Sequence, residues 1–385
     1  MSADRPAPDV AIVGCGIVGA ALAAFLAEAG LRVRVYERTA IGAGASGRNS
    51  GLVQHPFDSV LGELYGATLA EYRALAAAGR LPFPAEPAGL LYVGRNAPLA
   101  ARIAADWAAA WPATGPEVVD GPALASLEPG LARDLTVCRL GVGFPVGPGA
   151  ATMALAEWAR TLGAEVVLGA DVRAVRTADR VAGVTGPDGR LQPAGCVVLA
   201  GGPWTSSLVD PSGRWRPIRP VWGVVASVRL AGAPRHGLEA IDIDIEPGSG
   251  ERAVGEIAPR DELVDFSLVP GAGSSALGST FLPAEPEPQA WLTHLRNVGS
   301  RYVPALAAAE VVGLRHCARP VSLDGRPLVG RVSGVDGLWI AAGHGPWGIS
   351  TGPGTARLLA GAILADDPSA LPAALRPDRF GAAPA

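Results

Sequence analysis

A chain of 385 residues, 49 % of them apolar, is longer than one hydrophobic core usually organises and carries enough apolar material for two. Its formal charge of −4 provides no basic field for a polyanion, which argues against nucleic acid as a partner. All 32 basic residues are arginine, so Schiff-base and lysine-base chemistry are excluded and any cationic contact to a substrate must be an arginine.

From the N-terminus, Val10 to Val13 form an apolar run, followed by Gly14-Cys15-Gly16-Ile17-Val18-Gly19 and a small-residue segment up to Gly30. A strand, a glycine turn and a helix closed by a glycine cap are expected. Leu31, Val33 and Val35 alternate with Arg32 and Arg34, and the segment ends at Tyr36 and Glu37, a second strand that completes a β-α-β unit. The stretch IGAGASGRNSG, 41–51, is too rich in Gly and Ser for regular structure and predicts a loop that approaches something closely. Helices are predicted over 58–79, 99–111 and 121–127, with a strand at 89–93. VGFPVGPG at 142–149 breaks the pattern before a helix over 150–162 and a strand over 164–168.

Segments 171–177 and 183–184 predict a small antiparallel meander closed by the turn Pro187-Asp188-Gly189, and Cys196 to Ala200 a buried strand running into Gly201-Gly202-Pro203. Alternating strands at 221–230, 238–245, 263–269 and 276–281 predict a largely antiparallel sheet, different in kind from the first unit. Within it, the acidic stretch Glu239 to Glu246 is expected to present a solvated face rather than a cation site. A strand returns at 338–342 and a helix at 352–364, while the Pro-rich ends, 1–9 and 366–385, read as tails. The cysteines at 15, 138, 196 and 317 form neither a CxxC pair nor a metal-ligand cluster, so no metal is expected. With no leader pattern and no apolar stretch of spanning length, a cytoplasmic chain without a transmembrane segment is expected.

The glycine turn carries chemistry. Gly14 permits the tight turn, Gly16 lets backbone N–H groups touch a pyrophosphate, and Gly19 lets the helix pack on its strand. Ile17 and Val18 open the helix whose dipole faces the anion. Glu37 is placed to accept hydrogen bonds from a ribose diol and would repel a 2′-phosphate; the pattern suits NAD and FAD alike.

Four blocks then carry a family resemblance: VAIVGCGIVGAALAAFLAEAGLRVRVYER, GASGRNSG, VVLAGGPWTSSL and ARPVSLDGRPLVGRVSGVDGLWIAAGHGPWGISTGPGT. Together they resemble the FAD-dependent D-amino acid oxidase superfamily, which includes glycine oxidase, sarcosine oxidase and D-amino acid dehydrogenase; a plain NAD-dependent dehydrogenase has no counterpart of the last block. The resemblance implies an α/β fold with a Rossmann-like FAD-binding domain (1–80, 143–215 and 312–385). An α+β substrate domain on the largely antiparallel sheet (81–142 and 216–311) is interleaved with it. FAD is the implied cofactor, with Arg38 near the ribose or adenine and Ser46, Gly47, Arg48 and Asn49 running from the pyrophosphate to the flavin ring. Val172 would meet adenine through its backbone, Gly201 and Gly202 would line the adenosine side, and Gly51 and Trp204 also count among the cofactor residues.

In the last block Gly345, Pro346, Trp347, Gly348 and Ile349 join an apolar strand to a helix, so the amides of 347–349 would face negative charge taken up by the flavin. His344, Trp347 and Arg48 are candidate catalytic or pocket-wall residues at that corner. Arg319, five residues before Asp324, occupies the place of the substrate-carboxylate clamp of glycine oxidase-like relatives, a charge-assisted contact contributing about 1.5–3 kcal/mol. Its alternative is a structural ion pair with Asp324 or Glu310. Cys317 stands where sarcosine oxidase-type relatives carry a cysteine covalently attached to the flavin; the alternative is a small buried cysteine.

The implied reaction is oxidation of the C–N bond of an amine or amino acid by hydride transfer to flavin N5, giving an imine, with orientation rather than a general base supplying the effect. Pocket walls are expected at Trp222 to Val228 and Phe266 to Val269. The acceptor is dioxygen or a quinone or flavoprotein, and the lysine that sarcosine oxidase places over its flavin has no counterpart here. Two other readings are an FAD-dependent 2-hydroxy acid dehydrogenase, which benefits from a base such as His344 or His316, and a non-catalytic FAD-bearing interaction protein with a large exposed apolar patch.

Overall fold

Val10–Val13 is buried along its whole length, which suits a central strand covered on both faces. In the computed structural model, which describes residues 6–177, 179–241 and 263–382, it pairs in parallel with Val33–Glu37 on one side and Cys196–Leu199 on the other. Glu165–Leu168 extends this sheet beyond Val33–Glu37; Leu338–Ala342 and then Leu328–Arg331 extend it beyond Cys196–Leu199, the last strand antiparallel. The helix Ile17–Glu28 is apolar almost all round because it lies inside the protein, packed against Gly348–Leu364 and Pro148–Thr161.

A second sheet has eight strands in the order Glu310–Ser322, Ile218–Arg229, Ser275–Thr280, Val264–Val269, Gly237–Ala240, Leu90–Gly94, Thr136–Leu140, Glu117–Asp120. Its pairs are antiparallel except Gly237–Ala240 with Leu90–Gly94, which run parallel. One face sends Val224, Ala226, Val228, Phe266, Leu268 and Leu277 into a core shared with Leu295 and Val298 of the helix Leu292–Ser300. The two-residue period of the strands turns Val221, Gly223, Val225, Asp265, Ser267 and Glu239 to the opposite face, where they line a cavity.

Two expectations change. Glu239 faces that cavity rather than a solvated surface, and residues 242–246 of the acidic stretch lie outside the described residues. The segment expected as a C-terminal tail docks as three short 3-10 turns, Pro368–Ala370, Ala373–Leu375 and Pro377–Phe380, burying Leu371 and Leu375. It is further held by Arg379 on Asp324 at 2.7 Å. The domain boundary expected at 312 falls inside Glu310–Ser322, which pairs with Ile218–Arg229 along its whole length.

Candidate active site

Both sheets contribute to one cavity of about 1850 Å³. That exceeds the roughly 300–1,000 Å³ of a drug-sized pocket and leaves room for an extended dinucleotide beside a small molecule. The expected cofactor residues all line it except Gly19, Gly47 and Gly51. Those three serve packing: a Cβ at Gly19 would lie 2.1 Å from Gly14 O, one at Gly47 2.5 Å from Gly42 O, and one at Gly51 2.4 Å from Val146 O.

The nucleotide end is built on close backbone approach. Gly14 has φ +105°, and a Cβ there would lie 2.5 Å from Ala200 O. The loop seats itself on the helix start, since Ile17 N–H donates to Ser46 Oγ at 2.9 Å. Glu37 is held at the strand end, accepting from Cys15 N–H at 2.9 Å and Thr39 N–H at 2.8 Å. Arg38 lies 4.8 Å over the ring of Trp204, a cation–π pair at the rim near Val172, Gly201 and Gly202. Asn49 caps the one-turn helix Ala45–Arg48, donating to Ala45 O and Ser46 O and accepting from Gly51 N–H.

At the C-terminal corner, the expected three amides narrow to two. Trp347 N–H already donates to His344 O at 2.9 Å inside the turn Gly345–Trp347, while Gly348 and Ile349 open the helix Gly348–Leu364, which has no side-chain cap. His344 is 2 % exposed with Nε2 3.0 Å from Thr355 Oγ1, and burial pushes its imidazole from 6.5 down to about 4. A histidine depressed in the fold contributes stability above pH 6.5 that is lost as pH falls toward 4, roughly 3 kcal/mol in all. His344→Gln is therefore expected to flatten the decline in unfolding free energy between pH 7 and pH 4.5, measured by denaturant titration; an unchanged slope refutes this.

The large sheet supplies the cavity floor. On Glu310–Ser322 the alternation puts Arg315, Cys317 and Arg319 on one face. Arg319 donates to Thr280 O at 2.9 Å and to Ser279 Oγ, and lies 4.3 Å over Phe281. It lies where Gly223 leaves room, since a Cβ at 223 would sit 2.5 Å from its Nη1. Asp324 pairs with Arg379 and Glu310 with Arg229, so neither neutralises Arg319, and no carboxylate among the described residues forms an ion pair with it. Burial pulls its pKa below the ordinary arginine range. Cys317, two residues away, is 6 % exposed; burial pushes its thiol up while Arg319, Arg315 and Arg48 pull it down.

Arg315 ties this floor to the cofactor loop, donating to Arg48 O at 3.0 Å and Asn49 O at 3.1 Å; Arg48 donates to His316 O at 3.4 Å. His316 Nε2 lies 3.1 Å from Glu285 Oε1. Of the expected walls, Trp222, Gly223, Val225 and Ser267 line the cavity, whereas Val224, Ala226, Val228 and Leu268 point into the core, as does Phe266, which also borders the cavity. Sequence reasoning missed Gln54, Tyr92, Glu239, Asp265 and Phe281, all of which line it. The available signal was Asp265, a carboxylate inside the otherwise uncharged strand Val264–Val269.

Among the described residues, no group of three His, Cys, Asp or Glu is placed to hold a metal, and no helix is long and apolar enough to cross a membrane. A glycine-turn groove opening onto a cavity floored by an arginine-bearing sheet defines an oxidoreductase that works through a bound dinucleotide. The chain belongs to the DAO family of FAD-dependent oxidoreductases, whose family profile matches residues 9–362. It is 29 % identical over 384 residues to a glycine oxidase of Pseudomonas aeruginosa, an alignment spanning 96 % of this chain and 98 % of that one. The glycine oxidase structure from Geobacillus kaustophilus superposes with TM-score 0.76 at 25 % identity, covering 94 % of this chain and 95 % of that one. The iminodiacetate oxidase from Chelativorans sp. superposes with TM-score 0.79 at 22 % identity, covering 96 % and 98 %. FAD is the cofactor of this family, and the close glycine approaches, the fixed Glu37 and the uncapped helix at Gly348 fit it.

Proposed function

We propose that this chain oxidises the C–N bond of an amino acid to an imine, with Arg319 holding the substrate carboxylate. The observation that carries the reading is a buried guanidinium in the cavity, hydrogen-bonded only to neutral groups and in ion-pair contact with no carboxylate among the described residues, with Asp265 further off favouring its charge. Gly14, Gly16, Glu37, Ser46, Arg48, Gly348 and Ile349 are the residues that would hold the cofactor, in a module interleaved with the sheet that floors the substrate site. Bound FAD supplies the hydride acceptor at N5. The protein's own part is orientation: a bidentate Arg319 contact fixes the α-carbon, and Phe281 packs against the arginine. Neither histidine at the site needs to act as a base, since His344 is buried against Thr355 and His316 is paired with Glu285.

Anaerobic mixing with a panel tests this. Flavin bleaching is expected with α-amino acids and not with the corresponding decarboxylated amines or 2-hydroxy acids. Bleaching by 2-hydroxy acids alone, or equally by amines without a carboxylate, overturns it. Reoxidation by air or by a soluble quinone then identifies the acceptor class.

Cys317 is the one cysteine lining the cavity among the described residues; burial raises its thiol above the ordinary range, and three guanidinium groups offset part of that rise. A thioether there is expected to keep the yellow colour in the acid-precipitated wild-type protein and to release it to the supernatant in Cys317→Ser. A colourless wild-type pellet removes the attachment.

A further inference from the structure

The cavity floor carries charge of both signs, at two separate places. Register places Glu239 beside Tyr92 on one neighbouring strand and Ser267 on the other, with Gly278 opposite Ser267. The Arg319 guanidinium lies over Gly223 and Ser279, on the pair Ile218–Arg229 and Ser275–Thr280. Glu239 is two strands further along the same sheet, roughly 10 Å at the usual interstrand spacing. A carboxylate and an α-amine share one carbon, so a single amino-acid head group cannot meet both residues. An extended side chain bridges a gap of that order.

Around Glu239 the groups suit a cation. Gln54 Nε2 donates to Glu239 Oε1 at 2.9 Å and the Tyr92 hydroxyl hydrogen-bonds to the same carboxylate, both neutral partners. No cationic side chain among the described residues pairs with it. The other end of that amide, Gln54 Oε1, is a buried acceptor with no hydrogen-bond partner. An unsatisfied buried acceptor calls for a donor, and here it sits beside a carboxylate. Asp265, which also lines the cavity, adds negative potential.

We infer that Glu239 and Gln54 form a distal cation subsite, selecting α-amino acids whose side chain ends in a guanidinium or ammonium group. The guanidinium or ammonium would donate to Glu239 and, with a small turn of the amide, to Gln54 Oε1, while Arg319 takes the carboxylate. This rests on the carboxylate-clamp reading above, so the test separates the two.

Calorimetric titration of the FAD-loaded enzyme with 5-guanidinopentanoate, against its neutral isostere 5-ureidopentanoate, needs no turnover. The guanidino compound is expected to bind at least tenfold tighter, and Glu239→Gln is expected to bring the two within about threefold. Flavin content and the affinity for the ureido compound should stay near wild type in that variant, showing an intact pocket. Equal binding by the wild type, or a preference that survives Glu239→Gln, overturns the subsite. Tight guanidino binding without flavin bleaching by arginine would retain the subsite and refute the C–N oxidation. Bleaching by neutral amino acids with no cation preference would do the reverse.

Discussion

A Gly14→Val protein is expected to come out colourless and to stay so when offered FAD. The native φ of +105° at Gly14 is one that a β-branched residue avoids, at a cost of about 1–3 kcal/mol. The added Cβ would also lie 2.5 Å from Ala200 O, a backbone atom just past the adjacent strand Cys196–Leu199 that has no rotamer to escape into. Gly14 N–H donates to Tyr36 O at 2.8 Å, so any shift that relieves the clash pulls on the neighbouring strand and on the Glu37 that ends it. Gly16→Ala provides the graded comparison. Its Cβ would meet Ser46 Oγ at 2.9 Å, the end of a side chain that can rotate, so that variant should retain FAD with weakened affinity. Far-ultraviolet circular dichroism checks folding and the visible flavin bands give occupancy; a folded, fully yellow Gly14→Val protein would refute the nucleotide assignment.

The second large effect is expected at Arg319. Removing one partner of a buried charge pair costs about 2–5 kcal/mol, and about 1.4 kcal/mol is tenfold. Arg319→Met should therefore lower kcat/KM for amino acids by roughly 30-fold to several thousand-fold, while flavin content stays near wild type. Methionine fills similar space over Phe281 and leaves Ser279 and Thr280 only their own hydroxyl and carbonyl, so a structural loss is separable from a functional one. Amines without a carboxylate supply that separation: their rates should change little in the variant. Arg319→Lys should recover part of the loss, since a point charge replaces the fork without its bidentate geometry. Equal losses for both substrate types would make Arg319 a strut of the floor and not a clamp.

The parts of the fold legible in advance are those where local pattern and tertiary role agree. The Val10 to Glu37 unit and the corner at 345–349 are written in glycines and apolar runs whose local demands match their surroundings, whereas the stretch 41–51, expected to be without regular structure, winds one helical turn over Ala45–Arg48. The floor of the site inverts that logic. On Glu310–Ser322 positions 315, 317 and 319, which share one face, hold Arg, Cys and Arg, and Gly313 and Pro320 interrupt the run, so no strand was expected there. Leu90–Gly94 is buried on both faces, and nothing in its five residues indicates a parallel partner about 150 positions later, at Gly237–Ala240. Glu239 was assigned to solvent because acidic runs usually are solvated; whether a strand residue faces water or a cavity depends on which sheet face is covered, a long-range fact. The C-terminal segment misled through its prolines, which here begin two of the three docked turns and precede the other.

The bridge formed by Arg315 has a consequence for ligand order. One strand holds the carbonyls of the cofactor loop through Arg315 and presents Arg319 four positions on, so loop and clamp are mechanically one piece. Thermodynamic reciprocity then requires that any tightening of this strand by an occupant on one side be felt as affinity on the other. Nucleotide and amino acid should act as mutual effectors, and a preparation short of FAD should lose its hold on the substrate carboxylate before it loses its fold.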